Sequence, residues 1–144
     1  GISVNNPSYS LATVKSPRWF GCVYADDAYV RWHADKEISL VAWAPQASGF
    51  FAGVFGDAAP EDIKRTYFLE ENFEKLARCK VVAKRRGVAA TNIALAYVFN
   101  QPVTMMASIG PRSGSELREA IDVLDIKLSR DEVEWLSLRK ERLD

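Results

Sequence analysis

Histidine occurs once in the chain, at position 33, and cysteine twice, at positions 22 and 79. So few soft ligands, with no C-x-x-C or H-E-x-x-H spacing, give no zinc or redox-active dithiol signature. The two thiols read as buried or idle groups of a reducing compartment, with a single disulfide as the open alternative. Excess charge of either sign is also missing, since 19 basic side chains face 19 acidic ones. No basic stripe invites nucleic acid and no charge block suggests a disordered tail. The longest apolar runs are far too short to span a bilayer, and no signal peptide opens the chain. A G-x-S-x-G elbow, a Walker loop and a Rossmann glycine fingerprint are absent as well. The expected partners are therefore small molecules or other protein chains, and the expected location is cytoplasmic.

What is present is hydrophobic substance, 48% of 144 residues, enough for one core or most of one. Three apolar runs read as buried strands: Ile2 to Val4, Ile38 to Trp43 and Met105 to Ile109. The second is apolar on both faces, as in a parallel strand covered by helices. Helical patterns lie between them, over Asp26 to Lys36, Leu69 to Arg86 and Thr91 to Asn100. Asp26-Asp27 reads as a helix start rather than a metal site. Leu69, Phe73, Leu76 and Ala77 form the predicted inward face of the long helix, which ends at the natural C′ residue Gly87. Thr91 to Asn100 is apolar nearly all round and should be buried on most sides.

Alternating strands and helices predict right-handed crossovers and a parallel α/β sheet. Two long connections, Pro7 to Ala25 and Ala44 to Phe68, follow strand C-termini, where α/β proteins keep their ligand chemistry. The opening Gly1-Ile2-Ser3-Val4-Asn5 reads as a strand already under way, so the chain is expected to be a piece of something longer. Residues 1–144 are expected to form a single partial domain. Three parallel strands alone leave two unpaired edges.

The segment Ala107-Ser108-Ile109-Gly110-Pro111-Arg112-Ser113-Gly114-Ser115-Glu116-Leu117 carries the most chemistry. A short strand breaks at Gly-Pro and leads into a helix opened by the capping pair Ser113 and Glu116. Leu117, Ala120, Ile121 and Leu124 form its apolar stripe. Backbone N–H groups at that helix start, beside the Arg112 guanidinium, favour an anion and above all a phosphate. A solvated arginine on an ordinary capped helix is the alternative. A second capping box, Ser129 with Glu132, opens a terminal helix carrying Val133, Trp135 and Leu136.

Taken in order, Asn6-Pro7-Ser8-Tyr9-Ser10-Leu11, Val41-Ala42-Trp43-Ala44-Pro45, Asn92 to Val98 and Ser108-Ile109-Gly110-Pro111-Arg112-Ser113 resemble the C-terminal half of an aldo-keto reductase. The resemblance spans nearly the whole chain. It implies that the strands are the sixth, seventh and eighth of a TIM (β/α)₈ barrel, present as a partial barrel. It also implies an NADP(H) coenzyme and a small carbonyl substrate in the intact barrel. The missing N-terminal half, or a second copy of the chain, is then the expected protein partner.

By the same resemblance Asn6 stands where a side-chain amide bonds the nicotinamide carboxamide, and Trp43 where an aromatic ring stacks on the nicotinamide. Ala44, Pro45, Gln46, Ala47 and Ser48 occupy the loop that wraps the pyrophosphate, with Ala44 where a serine is common. Arg112 and Ser113 would hold the 2′-phosphate, with Glu116 and Glu119 near the ribose and adenine. Ala120 replaces a common asparagine. Glu116 stands where arginine or glutamine is usual, and its capping contact gives it a structural task. The family's proton-transfer Asp, Tyr, Lys and His come from strands two to four, so no catalytic residue is expected here. His33 is expected on a surface helix, and no tyrosine carries a sequence argument for a lowered pKa. The segment Trp19-Phe20-Gly21-Cys22-Val23-Tyr24 reads as a cap on the barrel rim, or else as lining for a substrate pocket. A non-enzymatic half-barrel that self-associates is the competing reading.

Overall fold

The computed structural model describes residues 1–53 and 59–143. Part of the long connection from Ala44 to Phe68 thus lies outside the described residues. Three strands, β1 (Val4–Asn5), β2 (Ser39–Trp43) and β3 (Met105–Ser108), form one sheet in the order β1-β2-β3. Both pairings are parallel, with Val4 beside Ser39 and Leu40 beside Met105. The helices are α1 (Asp27–Asp35), α2 (Glu61–Tyr67), α3 (Glu70–Arg86), α4 (Ala90–Phe99), α5 (Gly114–Asp122) and α6 (Arg130–Leu136).

Strand β2 alternates. Leu40 and Ala42 are fully buried, whereas Ser39, Val41 and Trp43 on the other face are half-buried. The pleat therefore sends one side-chain set toward the helices and leaves the other face partly open. α4 fills the covered side. Every residue from Asn92 to Val98 is buried, as its continuous apolar run predicts. It packs on β3, α3 and the turn over Ala47–Ala52.

Local signals set several helix ends. Asp26 caps α1 by accepting from the Tyr29 N–H at 2.8 Å. Gly87 closes α3 in the left-handed conformation at φ 68°. Ser129 and Glu132 form a complete capping box at α6. At α5 the box is only half made. Ser113 accepts from the Glu116 N–H, but the Glu116 carboxylate reaches one residue further back, to the Arg112 N–H at 2.6 Å.

Four expectations need correction. The inward face of α3 is Asn72, Lys75, Leu76, Cys79, Val82 and Ala83, while Ala77 is exposed and Phe73 sits at the margin, partly exposed with its ring against Phe50 and Phe68. The helix is rotated because Asn72 and Lys75 find partners inside: Asn72 bonds both backbone groups of Thr13, and Lys75 donates to the Thr13 hydroxyl at 2.7 Å. His33 is buried, not on the surface. Its Nδ1 lies 2.8 Å from the Tyr29 carbonyl, which only accepts, so Nδ1 carries the proton and Nε2 receives the Asn5 amide at 3.2 Å. The connection after β2 contains α2 and a 3₁₀ turn that no periodicity signalled. Finally, the runs expected as buried strands are only partly buried, since β1 is exposed, β3 alternates between half-buried and exposed residues and one face of β2 stays half-open. The apolar stripe of α5 forms as expected, with Leu117, Ile121 and Leu124 each 42–53% exposed. Both cysteines are free, and burial pushes the Cys79 thiol well above its ordinary range.

Candidate functional site

Beyond the C-terminal ends of β2 and β3 the chain leaves the sheet twice, once at Ala44 and once at Ile109. A cleft of about 650 Å³ opens between these two exits. Ala44, Gln46, Ser48 and Gly49 line one side, Arg112, Glu116, Glu119 and Ala120 the other, and Thr91 and Asn92 of α4 contribute to the wall. The crevice beyond the carboxyl ends of adjacent parallel strands is where α/β folds bind ligands.

Backbone conformation singles out the first side. Ala44, Ala47 and Ser48 all have φ near +50°, and Gly49 has φ 92°. Each non-glycine residue there costs roughly 1–2 kcal/mol. Three within five residues is an outlier that marks a functional loop. The Gln46–Ala47 step runs from a right- to a left-handed conformation, the pairing that shapes an anion-suited concavity. Ser48 and Gly49 continue left-handed, with the Ala47 and Gly49 N–H groups closing turns onto the Ala44 and Gln46 carbonyls. The side chains do not fill it. Gln46 donates away, to the Thr91 hydroxyl at 2.9 Å, and the Ser48 hydroxyl accepts from Arg18 Nη1 at 2.8 Å.

On the second side, Arg112 is exposed and bonded to Glu116 at 3.1 Å. The Arg112 N–H and guanidinium together hold the Glu116 carboxyl below its usual range. Ser113 is engaged at the helix start, accepting from the Glu116 N–H and sharing a 2.9 Å hydrogen bond with the Ser115 hydroxyl.

Of the residues singled out from sequence, the cleft gathers Ala44, Gln46, Ser48, Arg112 and Glu119. Asn6, Trp43 and Ser113 do not line it. Asn6 follows β1 and donates its amide to the Val41 carbonyl at 2.8 Å, which ties it to the neighbouring strand. Trp43 ends β2 and is stacked on Trp19, with ring centres 5.2 Å apart, and Tyr24 lies tilted against it at 5.9 Å. The segment Trp19 to Tyr24 thus sits over the end of β2, with Phe20 fully exposed.

All five tyrosine hydroxyls are held above their ordinary range by burial; that of Tyr67 is pushed up to about 12. Among the described residues no group of His, Cys, Asp or Glu could hold a metal ion, and no helix is long and apolar enough to cross a membrane. Sequence reasoning missed Arg18, Asp62 and Thr91. Arg18 and Asp62 pair across 44 residues, and the Arg18 guanidinium holds the Asp62 carboxyl below its usual range. No local pattern could have announced a partnership made only by folding.

Comparison with known proteins adds a further set of findings. The model of the Aldo/keto reductase family matches residues 2–137. The uncharacterized oxidoreductase YrpG of Bacillus subtilis (strain 168) is 30% identical over 105 residues, which cover 72% of this chain and 32% of that protein. The 6-dehydroglucose reductase of Agrobacterium fabrum (strain C58 / ATCC 33970) is 26% identical over 120 residues, 81% of this chain and 34% of that one. A solved thermostable aldo-keto reductase, Tm1743, in complex with the inhibitor epalrestat, matches with a TM-score of 0.58 at 17% identity. That match covers 94% of this chain and 39% of that structure, and at such identity it speaks to the fold alone. The chain spans about a third of the length of the curated relatives it matches.

Proposed function

The chain belongs to the aldo/keto reductase family, and from that premise we propose that it is the coenzyme-binding portion of an NADP(H)-dependent oxidoreductase. Its strands would be the last three of a (β/α)₈ barrel, and residues 1–144 one partial domain of it. A hydride would pass between the nicotinamide and a small carbonyl or alcohol in the cytoplasm. The proton-transfer groups and the remaining strands would come from polypeptide outside this sequence; a second copy, with the same three strands, would bring neither.

One observation carries the reading: the cleft beyond β2 and β3 joins a left-handed, amide-rich loop to an arginine at a capped helix start. This arrangement suits a long ligand with two separate anionic groups, with pyrophosphate on the loop and the 2′-phosphate at Arg112 and Ser113. Gln46, Ser48 and Glu119 would contact the middle and the adenosine end, and Ala44 would contribute backbone alone. Asn6 and Trp43, outside the cleft lining, would meet the nicotinamide further along the sheet, where Asn6 must exchange its bond to Val41 for the carboxamide.

The test is a comparison of coenzymes. In the intact protein Arg112→Ala should weaken NADPH about tenfold while changing NADH little, since a phosphate–guanidinium contact is worth roughly 1.5–3 kcal/mol. Equal losses for both, read by fluorescence titration, would refute the 2′-phosphate assignment. The competing reading, a half-barrel that has lost coenzyme binding, is favoured only by the methyl groups that Ala44 and Ala120 present to the cleft. It expects neither coenzyme to bind.

A further inference from the structure

Arg18 lies on the connection between β1 and α1, yet its guanidinium reaches two segments that follow β2. Nη1 donates to the Ser48 hydroxyl at 2.8 Å, Nε donates to Asp62 Oδ2 at 2.9 Å, and Nη2 pairs with that same oxygen. The backbone of Arg18 is fastened on both sides. Its N–H donates to the Tyr24 hydroxyl at 2.9 Å, and its carbonyl accepts from Arg65 Nη2 at 2.8 Å. The guanidinium carbon also lies 5.4 Å from the centre of the Trp19 ring, which stacks on Trp43.

A lone exposed ion pair contributes little. This arrangement differs because one planar fork joins three segments, and its own position is fixed by two further hydrogen bonds. A lysine, with all three donors on one nitrogen, would not reproduce the spaced contacts that Nη1 makes to Ser48 and Nε to Asp62. Ser48 needs such a hold. Its φ of 52° is unfavourable for a residue with a Cβ and persists only where the surroundings over-determine it.

We propose that Arg18 is a positioning residue for coenzyme binding, keeping Ser48 and the left-handed loop after β2 in the conformation that receives the pyrophosphate. The proposal rests on the reading of the cleft as the coenzyme site. Arg18 does not line the cleft and touches no reacting atom. Without it the loop relaxes toward right-handed conformations, and the ligand must then supply the ordering. The contact of Arg18 with Trp19 extends the same hold toward Trp43, so one side chain steadies both the loop and the aromatic end of β2.

The experiment uses the intact protein and the variants Arg18→Ala, Arg18→Lys, Ser48→Ala and the Arg18→Ala/Ser48→Ala double variant. NADPH affinity is read by fluorescence titration, and amide hydrogen exchange over residues 44–53 is read without coenzyme. Arg18→Ala should weaken NADPH about tenfold, the size of one charge-assisted hydrogen bond, with Arg18→Lys recovering only part. Exchange over 44–53 should rise while α3 and α4 keep their protection. The double variant should lose less than the product of the two single losses, because both changes break the same Arg18–Ser48 bond even though Ser48 also has its own coenzyme contact to lose.

Unchanged affinity in Arg18→Ala overturns the proposal, as do independent losses that multiply in the double variant. A uniform rise of exchange through α3 and α4 overturns it too, since Arg18 would then act on global stability. A wild-type protein that binds neither nicotinamide coenzyme overturns the coenzyme reading and this proposal with it. The exchange measurement distinguishes that case, because the hold on residues 44–53 is visible with no coenzyme present.

Discussion

Asn72 is wholly buried on α3, and its amide group replaces a strand partner for an irregular segment. It accepts from the Thr13 N–H at 2.8 Å and donates to the Thr13 carbonyl at 2.7 Å and the Tyr67 carbonyl at 2.9 Å. The connection after β1 thereby gains the hydrogen bonds it would otherwise find in water. Beside it the Lys75 ammonium donates to the Thr13 hydroxyl, and burial lowers its pKa. Replacing Asn72 by Ala leaves the part-buried Thr13 N–H and carbonyl and the buried Tyr67 carbonyl short of a partner. The expected loss is roughly 2–4 kcal/mol of stability. Urea unfolding should show it as a lower midpoint with an unchanged slope, and an unchanged midpoint would refute the account. Asn72 also shows why the inward face of α3 was misread from sequence. Apolar periodicity rewards Phe73 and Ala77, but it cannot see a loop residue 59 positions away that makes an asparagine belong inside. His33 was misread for the same reason, since Tyr29 precedes it by one turn but Asn5 lies 28 residues distant.

At the scale of elements, legibility follows the range of the interaction. Asp26, Gly87 and Ser129 act within four residues of themselves, and all three helix ends are where local chemistry puts them. The parallel strands were legible because β-branched and apolar runs separated by helices leave few topologies open. The turn over Ala47–Ala52 was not, because its left-handed residues include alanine and serine, which carry no turn signal, and tertiary contacts impose the conformation. α6 shows how a local and a distant contact combine. Glu132 completes the capping box at Ser129 and also accepts two bonds from Arg86 of α3, at 2.7 and 2.8 Å. Burial works to raise its pKa, but the Arg86 fork and the Ser129 N–H overcome that, and the net shift is downward. A carboxylate with a depressed folded pKa stabilises the fold above its unfolded value and loses that contribution as pH falls through the folded one. Glu132→Gln should therefore lower the thermal midpoint at pH 7, and the gap to wild type should close below about pH 4. A gap that persists at pH 3 would mean that packing, not ionisation, is what Glu132 contributes.

For the molecule as a whole, the decisive feature is where apolar surface is left open. β1 and β3 are both edges of the sheet, and Val4 and Met106 on them are 46% and 43% exposed. α5 leaves Leu117 and Ile121 open as well, and Leu124 just beyond its end. A single exposed leucine needs no explanation, but two sheet edges unpaired among the described residues, together with an open apolar helix face, argue for surface that is built to be covered. The sequence showed the stripe and not its cover, because periodicity tells which residues share a face and not what lies against it. The chain aligns with about a third of each curated relative. A chain of these 144 residues expressed alone should therefore associate through that surface or bind a hydrophobic dye. Ile121→Lys puts a charge at the centre of the helix stripe while leaving the cleft and the β2 loop untouched. Sedimentation velocity should then show less association for Ile121→Lys than for wild type, at equal helix content by circular dichroism. Undiminished association would place the contact on the open strands, and a companion Val4→Lys variant on the β1 edge would then carry the loss. If wild type sediments as a monomer and binds no dye, the exposed stripe is tolerated in water, and the inference that this surface is built to be covered fails.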